Sequence, residues 1–169
     1  MKFKIENVLE STLENAETLM FSEEYYEYLK KNHSGVDTIE VIEQKNEGDK
    51  IRRIVKYTPK PIIEKVGPKK VPKEAMVFTE YSTFDKQRHV LDFENVPRMN
   101  FVQKRLSNKG TISLERSGSQ TRRTIEGDLT VKFPILGAIA ERIIYSQAKK
   151  LLEEEVECFK RYLRLAAKG

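Results

Sequence analysis

Few residues in this 169-residue chain could perform acid–base, nucleophilic or metal chemistry, and their spacing does not assemble them into a site. There are two histidines, His33 and His89, and a single cysteine, Cys158. His33 stands at a predicted helix end, where a cationic side chain complements the helix dipole. His89 shares strand parity with Leu91 and Phe93, so it can serve as a core or rim histidine or face a cavity. No metal-ligand cluster, nucleophile motif or Gly-rich phosphate loop accompanies it, and Gly110 and Gly118 read as turn glycines. No cofactor or metal is implied. Four polar side chains, Arg53, His89, Arg116 and Arg123, share the parity of the apolar strand positions. Arg116 and Arg123 flank Ser117-Gly118-Ser119, which points to a solvated rim. An inward-pointing arginine would suit an anionic head group.

The elements that must position these groups follow from periodicity. Lys2 to Leu9 reads as a first strand. Ser11-Thr12-Leu13-Glu14 has capping-box spacing, predicting a helix to about Phe21. Ser22-Glu23-Glu24 caps a second helix that stops near His33-Ser34-Gly35. From Val36 the period becomes two, with a turn at Asn46-Glu47-Gly48-Asp49 and a second strand through Ile51, Arg53, Val55 and Tyr57. Residues 59–74 hold Pro59, Pro61, Pro68 and Pro72 and read as a long loop. Strands are predicted over Met76–Phe84 and His89–Phe93, and Phe101–Leu106 with Thr111–Arg116 reads as one more, interrupted by a bulge or turn at Ser107-Asn108-Lys109-Gly110. The last strand alternates most strictly: Ile125, Gly127, Leu129, Val131 and Phe133 share one face and Thr124, Glu126, Asp128, Thr130 and Lys132 the other. Pro134 then suits a helix first turn. That helix is predicted from about Ile135 to Ala166, roughly 45 Å long. Its apolar stripe runs through Ala140, Ile144, Ala148, Leu152, Val156, Phe159 and Leu163 and is widened by Leu136, Ile139, Ile143 and Leu151, as for a helix lying along a sheet.

Length bounds this to one domain, residues 1–169, able to bury one good core. The longest apolar run, Phe133 to Tyr145, is interrupted by Glu141 and Arg142 and is too short to span a bilayer. The N-terminus lacks a signal-peptide core. With a lone Cys158 that cannot form an internal disulfide, a reducing, cytoplasmic setting is expected. The net charge of +5 is uneven, with an acidic first segment (1–47) and a basic middle (48–132).

Strand, two short helices, a strand meander and one long helix is an order that resembles the START-like (SRPBCC, helix-grip) superfamily, particularly its small bacterial branches of uncharacterised function. The resemblance is carried by Ser11-Thr12-Leu13-Glu14 through Phe21-Ser22-Glu23-Glu24-Tyr25-Tyr26, by Phe78-Thr79-Glu80-Tyr81, and by Gly127-Asp128-Leu129-Thr130-Val131-Lys132-Phe133-Pro134-Ile135-Leu136-Gly137 running into Ala140-Glu141-Arg142-Ile143. It implies an α+β helix-grip fold, a curved antiparallel sheet of about seven strands around the C-terminal helix, and binding of lipids, sterols, polyketides or hormones, with a few enzymatic branches.

Parity and the long helix together define candidate ligand-binding side chains: Ile39, Val41, Val55, Tyr57, His89, Leu91, Phe93, Ile112, Leu114, Ile125 and Leu129 on the sheet, and Ile139, Ile143 and Gln147 on the helix. The expected role is non-enzymatic binding or transport of a hydrophobic small molecule or lipid. The alternatives are an enzyme of the same fold (cyclase, aromatase or hydratase, with His89 and a Tyr as acid–base groups) and an interaction domain without ligand. The 59–74 loop combines Ile62 and Ile63 with Lys60, Lys65, Lys69, Lys70 and Lys73, so transient contact with an anionic membrane is a further expectation. Outward bases are scattered (Arg52, Lys56, Lys104, Lys132) and the helices carry acids, which argues against nucleic acid as a partner.

Overall fold

The first strand, β1 (Lys2–Leu9), and the last, β9 (Gln120–Val131), are hydrogen-bonded neighbours although the rest of the sheet lies between them in sequence. The computed structural model describes residues 1–61, 64–66, 68–133 and 137–166. Between β1 and β9 come α1 (Leu13–Met20), α2 (Glu23–Asn32), β2 (Val36–Glu47), β3 (Lys50–Pro59), the short pair β4 (Lys65–Val66) and β5 (Lys69–Lys70), a 3₁₀ turn (Lys73–Met76), β6 (Phe78–Asp85), β7 (Val90–Pro97), α3 (Asn100–Gln103) and β8 (Leu106–Ser117). The chain ends in α4 (Gly137–Ala166). Seven strands form one curved antiparallel sheet in the order β1-β9-β8-β7-β6-β3-β2. The expected fold class therefore holds: an α+β helix-grip fold of START-like type.

Local chemistry explains most element ends. Ser22 caps α2 by accepting a hydrogen bond from the Tyr25 amide at 3.2 Å, as its sequence spacing suggests. For α1 the cap is one residue later than the capping-box spacing suggested. Thr12 Oγ1 accepts from the Asn15 amide at 3.3 Å, while the Ser11 hydroxyl donates to the Thr12 carbonyl. Turns at Gly48 and Gly118 use positive φ (62° and 64°), which glycine adopts without steric cost.

Two expectations in the middle of the chain are corrected. Phe101–Leu106 is not a strand: Asn100–Gln103 forms α3, and β8 begins only at Leu106. Ser107 to Gly110 is not a turn; it runs within β8, paired with Gly127–Thr130 of β9, with Asn108–Gly110 also paired to β7. The reason is a glycine pair. Gly110 and Gly127 face each other across β8 and β9, and a Cβ on Gly110 would sit 2.0 Å from the Glu126 carbonyl oxygen. Their lack of side chains lets the two backbones approach where the sheet bends. The 59–74 segment contains the β4–β5 pair, whose turn leaves Lys65 and Lys70 exposed. Pro134, Ile135, Leu136, Ile62 and Ile63, on which some expectations rest, lie outside the described residues.

Helix α4 lies along the inner face and packs chiefly against β1, β9 and α2. Two apolar clusters result. One joins Tyr25, Tyr26 and Leu29 of α2 with Ile39, Val55, Val156, Cys158 and Phe159. The other joins Leu129, Val131 and Ala140, with Phe3 and Ile144 against them. No helix among the described residues is long and apolar enough to cross a membrane.

Candidate functional site

Strand parity sets the inner face. Along β3 it presents Ile51, Arg53, Val55 and Tyr57; along β6, Phe78, Glu80, Ser82 and Phe84; along β7, Leu91, Phe93 and Asn95; along β8, Asn108, Gly110, Ile112 and Leu114. Its two ends are apolar. Its middle is polar. Ser82 is the register partner of Arg53, Glu80 of Asn95, and Asn95 of Asn108, so the polar side chains adjoin from strand to strand.

Arg53 is only 5% exposed. Its guanidinium donates to the Met20 carbonyl at 2.7 Å, to the Tyr26 hydroxyl and to Glu80 Oε1 at 3.3 Å. It also lies over the Phe21 ring, 5.0 Å from its centroid. Burial opposes its charge, but the neighbouring Tyr26 and Tyr57 phenols and the Glu80 carboxylate outweigh this and raise its pKa. Burial likewise pushes the Tyr26 phenol up to about 12, so it stays a neutral donor and acceptor. Tyr57, raised well above its ordinary value by burial, stacks on Phe78 with ring centroids 5.1 Å apart.

Arg123 forms the second buried cation. It donates to Glu155 Oε2 on α4 at 2.9 Å and to Asn7 Oδ1 on β1 at 3.2 Å. It thus ties the helix to the sheet from inside. Among the described residues, five buried polar atoms on this face have no hydrogen-bond partner: Arg53 Nε, Ser82 Oγ, Asn95 Oδ1, Asn108 Oδ1 and Arg123 Nε. An unpaired buried polar atom costs about 1–3 kcal/mol, so five on one face is an unusual concentration.

The side chains singled out from sequence fall into three groups. Val55, Leu91, Leu114, Ile125 and Leu129 are on the inner face and fully buried, as is Ile39. Val41, Tyr57, Phe93 and Ile112 share that face but keep partial accessibility, as do Ile143 and Gln147 on α4. Ile139 is 50% exposed and is not brought to the others. His89 also lies elsewhere. It occupies the turn between β6 and β7 with φ 55°, and its Nδ1 pairs with Glu17 of α1 at the surface. Arg116 pairs with Glu14, both exposed, as a rim residue would. Arg123, expected at a solvated rim, is instead buried, because Glu155 and Asn7 supply partners across the interior.

Sequence reasoning missed Glu80, Ser82, Asn95, Asn108, Asn7, Tyr26 and Glu155. Glu80 and Ser82 could have been found, since they alternate with Phe78 and Phe84 on one strand face. The Asn7 and Glu155 roles carry no local signal.

A concavity of about 770 Å³ is bordered chiefly by outer-face positions such as Arg52, Ile54, Tyr81, Asp92, Glu94 and Lys109, reaches Arg53, Ser82, Phe93 and Gly110 as well, and is open and of mixed charge. His33 is buried between α2 and α4. The Gly35 amide donates to its Nδ1 at 3.1 Å, which leaves Nε2 as the donor to the Leu151 carbonyl at 2.9 Å. Among the described residues, no three His, Cys, Asp or Glu side chains are placed to share a metal ion.

Comparison with solved structures gives the same architecture. The chain is similar over its full length to TTHA0849 of Thermus thermophilus (18% identity, all of both chains covered, TM-score 0.65). It is similar to a START superfamily protein of Mycobacterium smegmatis (10% identity, 95% of this chain and 98% of that one, TM-score 0.60). It is also similar to the Zhui aromatase/cyclase of Streptomyces sp. R1128 (7% identity, 94% and 90% covered, TM-score 0.63). At these identities the likeness is one of fold. No curated protein matches the chain. A family model described as "Protein of unknown function (DUF2505)" matches residues 9–163.

Proposed function

This chain belongs to the DUF2505 family, and we propose that it binds or carries an apolar small molecule or lipid, without catalysis, between the inner face of the sheet and α4. The observation that carries this reading is the set of five unpartnered buried polar atoms lying between two apolar clusters. Ligand pockets combine apolar walls with a few convergent polar groups, and this interior has that composition. Val41 and Tyr57 pack against the α2 cluster, while Phe93, Ile112, Ile143 and Gln147 keep partial accessibility, which fits an interior that the helix does not cover completely. These residues and the apolar ones around them are the proposed contacts. Solved structures of like fold include a START superfamily protein and an aromatase/cyclase, which supports a ligand-holding interior. The basic 59–74 segment, with Lys60, Lys65, Lys70 and Lys73 exposed, is proposed as a transient contact with anionic membranes during exchange.

The test is mass spectrometry of gently purified protein, in native form and after organic extraction. A stoichiometric small molecule or lipid, released on denaturation, is the expected result. Protein that is free of any such compound and binds no apolar probe would reject the reading.

A further inference from the structure

The interior is polar but electrically balanced. Arg53 is matched by Glu80, and Arg123 by Glu155, so each buried guanidinium already has a carboxylate. A carboxylate or phosphate brought between them would meet Glu80 and Glu155 as well as the arginines. It would be a buried charge without a free counter-ion, which is the costly case.

The unsatisfied atoms call for a different group. Arg53 Nε is a donor beside the Ser82 hydroxyl, its register partner. The side-chain oxygens of Asn95 and Asn108, register partners on β7 and β8, are acceptors. A carboxylate only accepts hydrogen bonds and could pair with neither asparagine oxygen. A hydroxyl both donates and accepts, so one hydroxyl can serve Arg53 Nε and Ser82, and another can donate its single proton to the side-chain oxygen of Asn95 or Asn108 while accepting from the side-chain amide of the other.

Resting on the proposed ligand-binding role, we infer that the interior selects a neutral compound bearing hydroxyl groups on an apolar skeleton, an alcohol or phenol, over an anionic amphiphile of the same skeleton. Asn95 and Asn108 read one hydroxyl and Ser82 with Arg53 the other. A site built to pair hydroxyls discriminates against analogues that lack them, because its own polar groups are then left bare.

The experiment uses the full chain and three probes of one skeleton, 2,7-dihydroxynaphthalene, naphthalene and 2-naphthoate, titrated at neutral pH and followed by probe fluorescence. The expected result is that the diol binds at least about tenfold more tightly than either of the others, as one buried hydrogen bond provides. In the Asn95→Ala/Asn108→Ala variant this preference should narrow, with diol affinity falling and naphthalene affinity rising or held, because the polar groups that naphthalene leaves bare are gone. Naphthoate binding as tightly as the diol, or naphthalene doing so, would overturn the inference and leave the binding role standing. A diol preference undiminished in the variant would overturn the assignment to the asparagines. If none of the three binds, and the purified protein carries no extractable compound, both the inference and the binding role fall.

Discussion

The two halves of α4 do different work. Its C-terminal half puts Val156, Cys158 and Phe159 into the α2 cluster, all fully buried, with Phe159 edge-on to Tyr25 at 5.7 Å between ring centroids. Ser34 reinforces this end, because both its amide and its hydroxyl donate to Glu154 at 2.6 Å. The N-terminal half is fixed at its start, where Gly137 and Ala140 are buried. Beyond that, Ile143, Ile144 and Gln147 are only partly covered and Ile139 is half exposed. One half anchors the helix and the other is less covered. Under the proposed binding role, anchoring and access are competing demands, and this asymmetry would separate them along a single helix.

The sharpest way to break this contrast is at Phe159. Phe159→Ala removes a buried ring from the tight half and should cost about 3–5 kcal/mol, measured by urea unfolding. A loss below about 1 kcal/mol, by the same order-of-magnitude scale, would mean that this end is not the anchor.

Next comes the polar band. Glu80→Leu leaves Arg53 buried without its carboxylate and should destabilise by roughly 3 kcal/mol. Arg53→Met combined with Glu80→Leu should recover most of that loss, since an apolar pair of similar volume avoids the desolvation penalty. No recovery in the double variant would show that Arg53 is held by Met20 and Tyr26 rather than by the ion pair.

A smaller, pH-dependent effect is expected at Glu154. Burial opposes its ionisation, yet the hydrogen bonds from the Ser34 hydroxyl and amide outweigh this and hold its pKa below the ordinary 4.5. A carboxylate with a depressed folded-state pKa adds stability above the unfolded value, and this is lost as pH falls through the folded value. Glu154→Gln should therefore be less stable than the native chain at neutral pH, and the gap should close on acidification below about 4.5. A gap independent of pH would assign the loss to packing.

The smallest effect belongs to the loose half. Ile139→Ala should change stability by no more than about 0.5 kcal/mol in the same unfolding assay. A cost comparable to that of Phe159→Ala would erase the asymmetry.

Much of the fold could be read from period alone. The alternation through Ile125, Gly127, Leu129 and Val131 and the stripe from Ala140 to Leu163 depend only on neighbours two, three or four residues away. So did the inward parity of Arg53, which the structure places on the inner face. The errors arose where context overrides local pattern. Ser107 to Gly110 has turn-forming residues, yet β9 and, from Asn108, β7 hold it extended through backbone pairing on both sides. His89 has the parity of β7, but the strand begins at Val90 and a left-handed turn carries the imidazole out to Glu17.

The sequence by itself determined most of the element order, the one-sided strands and the long helix, because backbone periodicity and side-chain polarity are local properties. Only the tertiary structure decided what the interior is. Arg123 could have been a rim residue until Glu155, 32 positions away, and Asn7, 116 positions away, were brought to it. Charge balance and unpaired hydrogen-bonding groups are relations between distant residues, and they exist only once the chain has closed around them.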